Sequence, residues 1–198
     1  MNYKVKLCSI LSENKDLVMI LNIIDTFNLK NYYIHGEIVY QSVWNYLENR
    51  TPSYKNRRIS IVYYDENDIS LRKEVQVEKD LLKILSRYGM FYEISIHNAA
   101  RQHVERKKHP ILNRPDEGNS EQILKEASMT IASVGIRQVQ NNLEIYAPYD
   151  VKDIFNKTLR PIYHAYASPQ TYIRQCNILT KEWEGLNVIQ YSHNKNNM

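Results

Sequence analysis

Two runs of strict alternation with a helix-period run between them constrain this chain more than any other feature. Across residues 58–64, Ile59, Ile61 and Tyr63 alternate with Arg58, Ser60 and Val62, the period of two of a strand with one buried face. Residues 91–96, Phe91-Tyr92-Glu93-Ile94-Ser95-Ile96, alternate again. Between them a charged helix is predicted over about 71–88, with Val75, Leu81, Leu82 and Leu85 inward and Gly89 as its C-terminal stop.

The remaining segments follow the same two periods. Residues 14–29 place Leu17, Ile20, Leu21, Ile24 and Phe27 on one helical face, and residues 38–48 do so from Ile38 to Tyr46 after a break at Gly36. A basic helix-like run covers 97–108, Pro110, Pro115 and Gly118 mark a loop, and Asn119 or Ser120 caps a helix over 120–127. Residues 133–139 and 143–147 read as a hairpin around Asn141-Asn142. Ser168-Pro169 opens a helix reaching about Trp183. The expected architecture is α+β: a mixed sheet of about four to five strands covered by helices on one side, with a helical C-terminal portion. One domain over 1–191 and a polar, disordered tail over 192–198 complete the expectation.

Composition removes several functional classes. Cys8 and Cys176 are too few and too far apart for a disulfide framework or a Cys-x-x-Cys site. The N-terminal residues lack an apolar h-region, and no run approaches the ~20 apolar residues of a membrane span, so a cytoplasmic location without membrane partners is expected. The net charge of +4 is spread through interleaved Lys, Arg, Asp and Glu, which permits polyanion binding without arguing for it. His97, His103 and His109 recur every six residues, but on a helix each step turns roughly 240°, so they diverge instead of forming a metal site. The basic residues Arg106, Lys107 and Lys108 read as a solvated face, and Trp44 and Trp183 as core anchors.

Six segments in order carry a resemblance. They are Tyr33-Ile34-His35-Gly36 leading to Val43-Trp44, Ile61-Val62-Tyr63-Tyr64-Asp65, and Ile96 to His103; then Val134-Gly135-Ile136-Arg137, Leu143 to Asp150, and Asp153-Ile154-Phe155 ahead of Arg160-Pro161. Over roughly residues 30 to 190 the chain resembles the small bacterial nucleotidyltransferase-like family of the polymerase-β superfamily, with the head-domain fold of CCA-adding enzymes. In that family an Asp-x-Asp pair on the first alternating strand holds catalytic magnesium, because carboxylates two apart on a strand emerge on one face as hard oxygen ligands. Those positions read Arg58 and Ser60 here. The third acid position, on the neighbouring strand, is retained as Glu93. The Gly-rich turn keeps Gly36, but Glu37 replaces a small residue and Tyr40 stands where an Arg is usual. The resemblance implies nucleotide contacts at Gly36, Glu37, Arg58, Asn98, Arg101 and Arg137, with Arg101 and Arg137 equally readable as core-linked ion-pair residues.

The leading expectation is therefore a catalytically degenerate member that keeps the fold for binding a nucleoside triphosphate or a protein partner, with no cofactor. Arg58 facing Glu93 would be a cross-strand salt bridge standing where the metals would be. An active magnesium-dependent enzyme rebuilt on Glu37, Glu93 and Asp65 is the alternative, and an RNA-associated module is the third reading, with nucleic acid the least favoured partner.

Overall fold

The computed structural model describes residues 2–52, 58–107, 117–164 and 168–192, without the side chains of residues 106 and 107. Lys108, His109, Pro110, Pro115 and the tail beyond Ser192 lie outside the described residues, as do the side chains of Arg106 and Lys107. The elements run α1 (Tyr3–Glu13), α2 (Lys15–Asp25), β1 (Tyr33–His35), α3 (Glu37–Leu47), β2 (Arg58–Tyr63), α4 (Leu71–Arg87), β3 (Glu93–Asn98) and α5 (Ala99–Lys107). They continue with α6 (Glu121–Lys125), a 3-10 turn (Thr130–Ser133), β4 (Gly135–Val139), β5 (Asn142–Tyr146), α7 (Lys152–Phe155), β6 (Thr158–Leu159), α8 (Pro169–Glu182) and β7 (Asn187–Val188).

The main sheet has the order β3-β2-β1-β4-β5. β2 and β3 are parallel, and the other three pairings are antiparallel, so the sheet is mixed. One face carries Ile34, Ile59, Ile61, Tyr63, Ile94, Ile96 and Ile136, all buried. Helices α1 to α4 pack over these strands, with α4 on β3, α3 on β2, α2 on β4 and α1 on β5. α3 is buried almost all round, and its Trp44 is fully enclosed, donating its indole N–H to the Ile154 carbonyl at 2.9 Å and meeting Trp183 edge-on at 5.2 Å. A helix covered on all sides reads as the centre of the core, and one apolar cluster extends from Leu7 to Trp183. No helix among the described residues is long and apolar enough to cross a membrane.

Several boundaries move, each for a local reason. An N-terminal helix, α1, precedes the expected one. Asn14 ends α1 and caps α2, its Oδ1 accepting from the Leu17 N–H at 3.2 Å. α2 then stops at Asp25, because Thr26 Oγ1 bonds back to the Ile23 carbonyl and Asn28 takes φ 50°. In α4 the inward stripe is Glu74, Val77, Leu81 and Leu85, so Val75 and Leu82 are exposed rather than buried. β3 begins at Glu93, where its ladder with β2 begins, leaving Phe91 in solvent. The hairpin turn is Gln140-Asn141, both at positive φ, and Asn142 already pairs with Val139. Of the two expected caps at α6, Ser120 holds the cap position but gives its hydroxyl to the Asn31 carbonyl, and it is Asn119 Oδ1 that accepts from the Glu121 and Gln122 N–H groups.

Helices lie on both faces of the sheet instead of one. On the second face Tyr33, Val62 and Ala99 form a small apolar patch under Leu124 of α6. The approach depends on Gly135, since a Cβ there would sit 2.5 Å from Leu124 Cδ1 and 3.0 Å from the Tyr33 ring. Toward the start of β2 and β3 the same face carries polar side chains, Arg58, Ser60, Glu93 and Ser95. β6 and β7 form a separate parallel pair that receives α8 through Tyr172, whose hydroxyl bridges the Leu159 and Ile189 carbonyls.

Candidate functional site

Strand alternation dictates which side chains the second face presents. β2 contributes Arg58 and Ser60, and β3 sets Glu93 directly opposite Arg58 and Ser95 opposite Ser60. On the other side of β2, antiparallel β1 sets His35 opposite Ser60. β1 then turns through Gly36, at φ 79° and ψ −135°, into the first turn of α3 at Glu37. Glycine is needed for that backbone, and its position puts the turn beside Ser60, since a Cβ on Gly36 would lie 3.9 Å from Ser60 Oγ. A cavity of about 580 Å³ opens over this corner, with His35, Gly36, Glu37, Arg58 and Ser60 on the sheet side. Its opposite wall is built from Ile123, the stretch around Ser128, and Arg174, Gln175 and Ile178 of α8. That volume lies in the ordinary range for small-molecule sites.

Arg58 is the electrostatic centre of the corner. Its Nη2 donates to both carboxylate oxygens of Glu93 at 3.0 Å, and its Nη1 lies 3.8 Å from Glu37 Oε1. The guanidinium thus stands between the two acids. Burial raises the Glu37 carboxyl above its ordinary range; Arg58 works against that rise, and Glu182 and Glu93 add to it. Both partners of the strongest contact are well exposed, 47% for Arg58 and 67% for Glu93, and exposed pairs contribute at most about 1 kcal/mol. Arg58→Ala is therefore expected to change unfolding free energy by less than about 1 kcal/mol in urea titration. A larger loss would make Arg58 a structural residue.

The donor set at this corner does not fit a pair of magnesium ions. The Glu37 and Glu93 carboxylates and the neutral hydroxyls of Ser60 and Ser95 face it, both carboxylates are already engaged by Arg58, and Glu126 stands on the opposite wall of the cavity. Asp65, the third acid of the rebuilt-site expectation, is held elsewhere. Lys73 at 2.9 Å and Lys30 at 3.2 Å bind it beyond the end of β2, and their hydrogen bonds hold its carboxyl below the usual range. Among the described residues no group of three or more His, Cys, Asp or Glu side chains is placed to hold a metal ion.

Three residues expected at the site are brought to other places. Asn98, the last residue of β3 and the opposite end from Glu93, is fully buried, accepts from the Asp65 N–H and donates to the Asp65 and Asp68 carbonyls. Arg101 forks onto Glu74, with both contacts at 2.7 Å, and also reaches Glu105 at 2.5 Å. Arg137 pairs with Glu144 at 2.5 Å and lies over the Tyr33 ring at 4.7 Å. All three satisfy buried or half-buried partners of the scaffold and none lines the cavity. Conversely, the cavity uses His35, Ser128, Arg174 and Gln175, which sequence reasoning passed over. His35 shares strand parity with Tyr33 and precedes the Gly36 turn, a signal that was available. The α8 residues carry no such signal. The buried stripe Tyr172, Cys176, Leu179 leaves positions 174 and 178 as an ordinary exposed face, and only the docking of α8 turns that face toward β2.

A mixed sheet with a glycine turn into a central helix, and a cleft over the first and second strands, is the architecture of a nucleotidyltransferase head domain. The family model described as "Nucleotidyltransferase" matches residues 22–188, so the chain belongs to this nucleotidyltransferase family. A solved structure described as an NMR structure that "reveals a CCA-adding enzyme head domain" superposes with a TM-score of 0.75 at 22% identity, covering 93% of this chain and 95% of that one. At that identity the likeness speaks for the fold. No curated protein matches.

Proposed function

We propose that this chain is a catalytically degenerate nucleotidyltransferase-family protein that retains the cleft as a nucleoside-phosphate site and binds its ligand without a divalent cation. The observation that carries this reading is Arg58, whose guanidinium bridges Glu93 and Glu37 where the family's magnesium ligands would converge. Nucleotidyl transfer needs metal-held oxygens to align the triphosphate and to activate the attacking hydroxyl. A guanidinium supplies charge and directed hydrogen bonds but neither of those functions. Binding remains chemically supported: the cleft has the volume of a ligand site, α3 enters it behind a glycine with no side-chain cap, and helix amides suit an anionic group.

The test is a thermal-shift panel of nucleoside mono-, di- and triphosphates, each with Mg²⁺ or with EDTA. A ligand at ~100 times its dissociation constant stabilises the fold by about 2.7 kcal/mol, which for a chain of this size is a shift of about 5–11 °C. The expected result is a shift for at least one nucleotide that survives EDTA. A shift seen only with Mg²⁺ would favour a rebuilt, metal-dependent enzyme. No shift with any nucleotide would redirect the fold to a role in protein interaction.

A further inference from the structure

Two guanidinium groups line the cavity, and they differ in what they are already doing. Arg58 is committed to Glu93 and Glu37. Arg174, on the opposite wall, is exposed and makes no hydrogen bond or ion pair among the described residues. Its helix is firmly anchored, because Tyr172, Cys176 and Leu179 are buried on the side facing the core and the Tyr172 hydroxyl ties the start of α8 to two backbone carbonyls. The next residue, Gln175, accepts from the Ser128 hydroxyl through Oε1, which leaves its amide nitrogen as a further donor on the cavity wall.

The cleft's acids decide what that guanidinium can receive. Glu37 and Glu126 also line the cavity. A triphosphate brings about four negative charges, which the family's metals would normally offset; here two carboxylates and one uncommitted guanidinium meet it, and like charges at this range repel. One guanidinium matches one phosphate through two parallel N–H···O bonds. A short-phosphate ligand therefore suits the charge balance, and its hydroxyl or amino groups can donate to Glu37 or Glu126. The aliphatic side chains of Ile123 and Ile178 supply the apolar surface a ring needs.

We infer that the cleft takes a nucleoside monophosphate in preference to a triphosphate, with Arg174 as the phosphate-binding residue. This rests on the reading of the cleft as a nucleoside-phosphate site. The experiment is isothermal titration in EDTA of the four ribonucleoside monophosphates, their triphosphates and inorganic phosphate into the full chain and into its Arg174→Ala and Arg174→Lys variants. The expected result is tighter binding of one monophosphate than of its triphosphate or of phosphate alone. The alanine variant should weaken it ~10-fold or more, and lysine, which keeps the charge but not the fork, should fall in between. Since position 174 is on an exposed helix surface, neither variant should alter the melting temperature of the free protein. Tighter binding of the triphosphate, equal binding of bare phosphate, or full affinity in Arg174→Ala would each overturn this inference while leaving nucleotide binding intact. No binding of any nucleotide would overturn both.

Discussion

Replacing Arg101 with alanine is expected to cost about 3–5 kcal/mol of stability, the loss typical of a buried ion pair stripped of one partner. Glu74 is the reason. Its side chain is 4% exposed, and its two oxygens are met by the two prongs of the Arg101 guanidinium at 2.7 Å, with the Asn98 N–H as a third donor. Without Arg101 a buried carboxylate keeps only that amide. The Glu74 contact also raises the guanidinium above its ordinary range, which matches an arginine that stays charged inside the scaffold. Against a total stability of about 5–15 kcal/mol the loss would be plain in a urea titration. The double replacement Glu74→Leu with Arg101→Met should recover much of it, since apolar groups of similar volume do not carry the desolvation penalty. An Arg101→Ala protein of unchanged stability that had lost nucleotide binding would return this residue to the ligand role that family resemblance suggests.

The second large effect concerns acid. His35 sits on the cleft side of β1, and burial, with His97 adding charge repulsion, lowers its pKa from 6.5 to about 4. The imidazole is thus neutral in the folded protein at pH values where the unfolded chain has taken up a proton. Between pH 6.5 and about 4 the unfolded state binds more protons, so stability rises with pH across that window and is lost as pH falls through it. The contribution is on the order of 3 kcal/mol when complete. Glu37 acts in the opposite sense, because a raised carboxyl favours the folded, protonated form as pH falls, so the wild-type curve alone mixes the two. Comparing urea unfolding of the wild type with His35→Gln at pH 7, 5.5 and 4.5 separates them. The variant should lose less stability on acidification, and parallel curves would refute a half-buried, neutral His35.

Much of the scaffold was legible locally. Ile59, Ile61 and Tyr63 do face the core, as their alternation requires, and Ile94 and Ile96 join them from β3. Ser168 accepts from the Thr171 N–H ahead of Pro169, as a helix cap should. These are short-range facts: strand parity and capping depend on residues one to four positions apart. Val75 and Leu82 show the limit of the same reasoning, because two apolar stripes fit the α4 sequence and only the position of β3 selects Val77, Leu81 and Leu85.

The site divides along the same line. In the sequence, Arg58 and Ser60 stand two apart on one strand parity, Gly36 precedes the central helix and Glu93 lies on the next alternating run, because each is a matter of which residue occupies which local position. The tertiary structure decided where the charges at and around the site were placed. Parallel pairing of β2 with β3 set Arg58 against Glu93; packing of α4 on β3 gave Arg101 to Glu74; the β4–β5 register gave Arg137 to Glu144; and the docking of α8 brought Arg174 to the cleft. Charged groups pair with whatever the register and the packing bring within a few ångströms, and no local pattern encodes neighbours as distant in the chain as Glu93 is from Arg58 or Arg101 from Glu74.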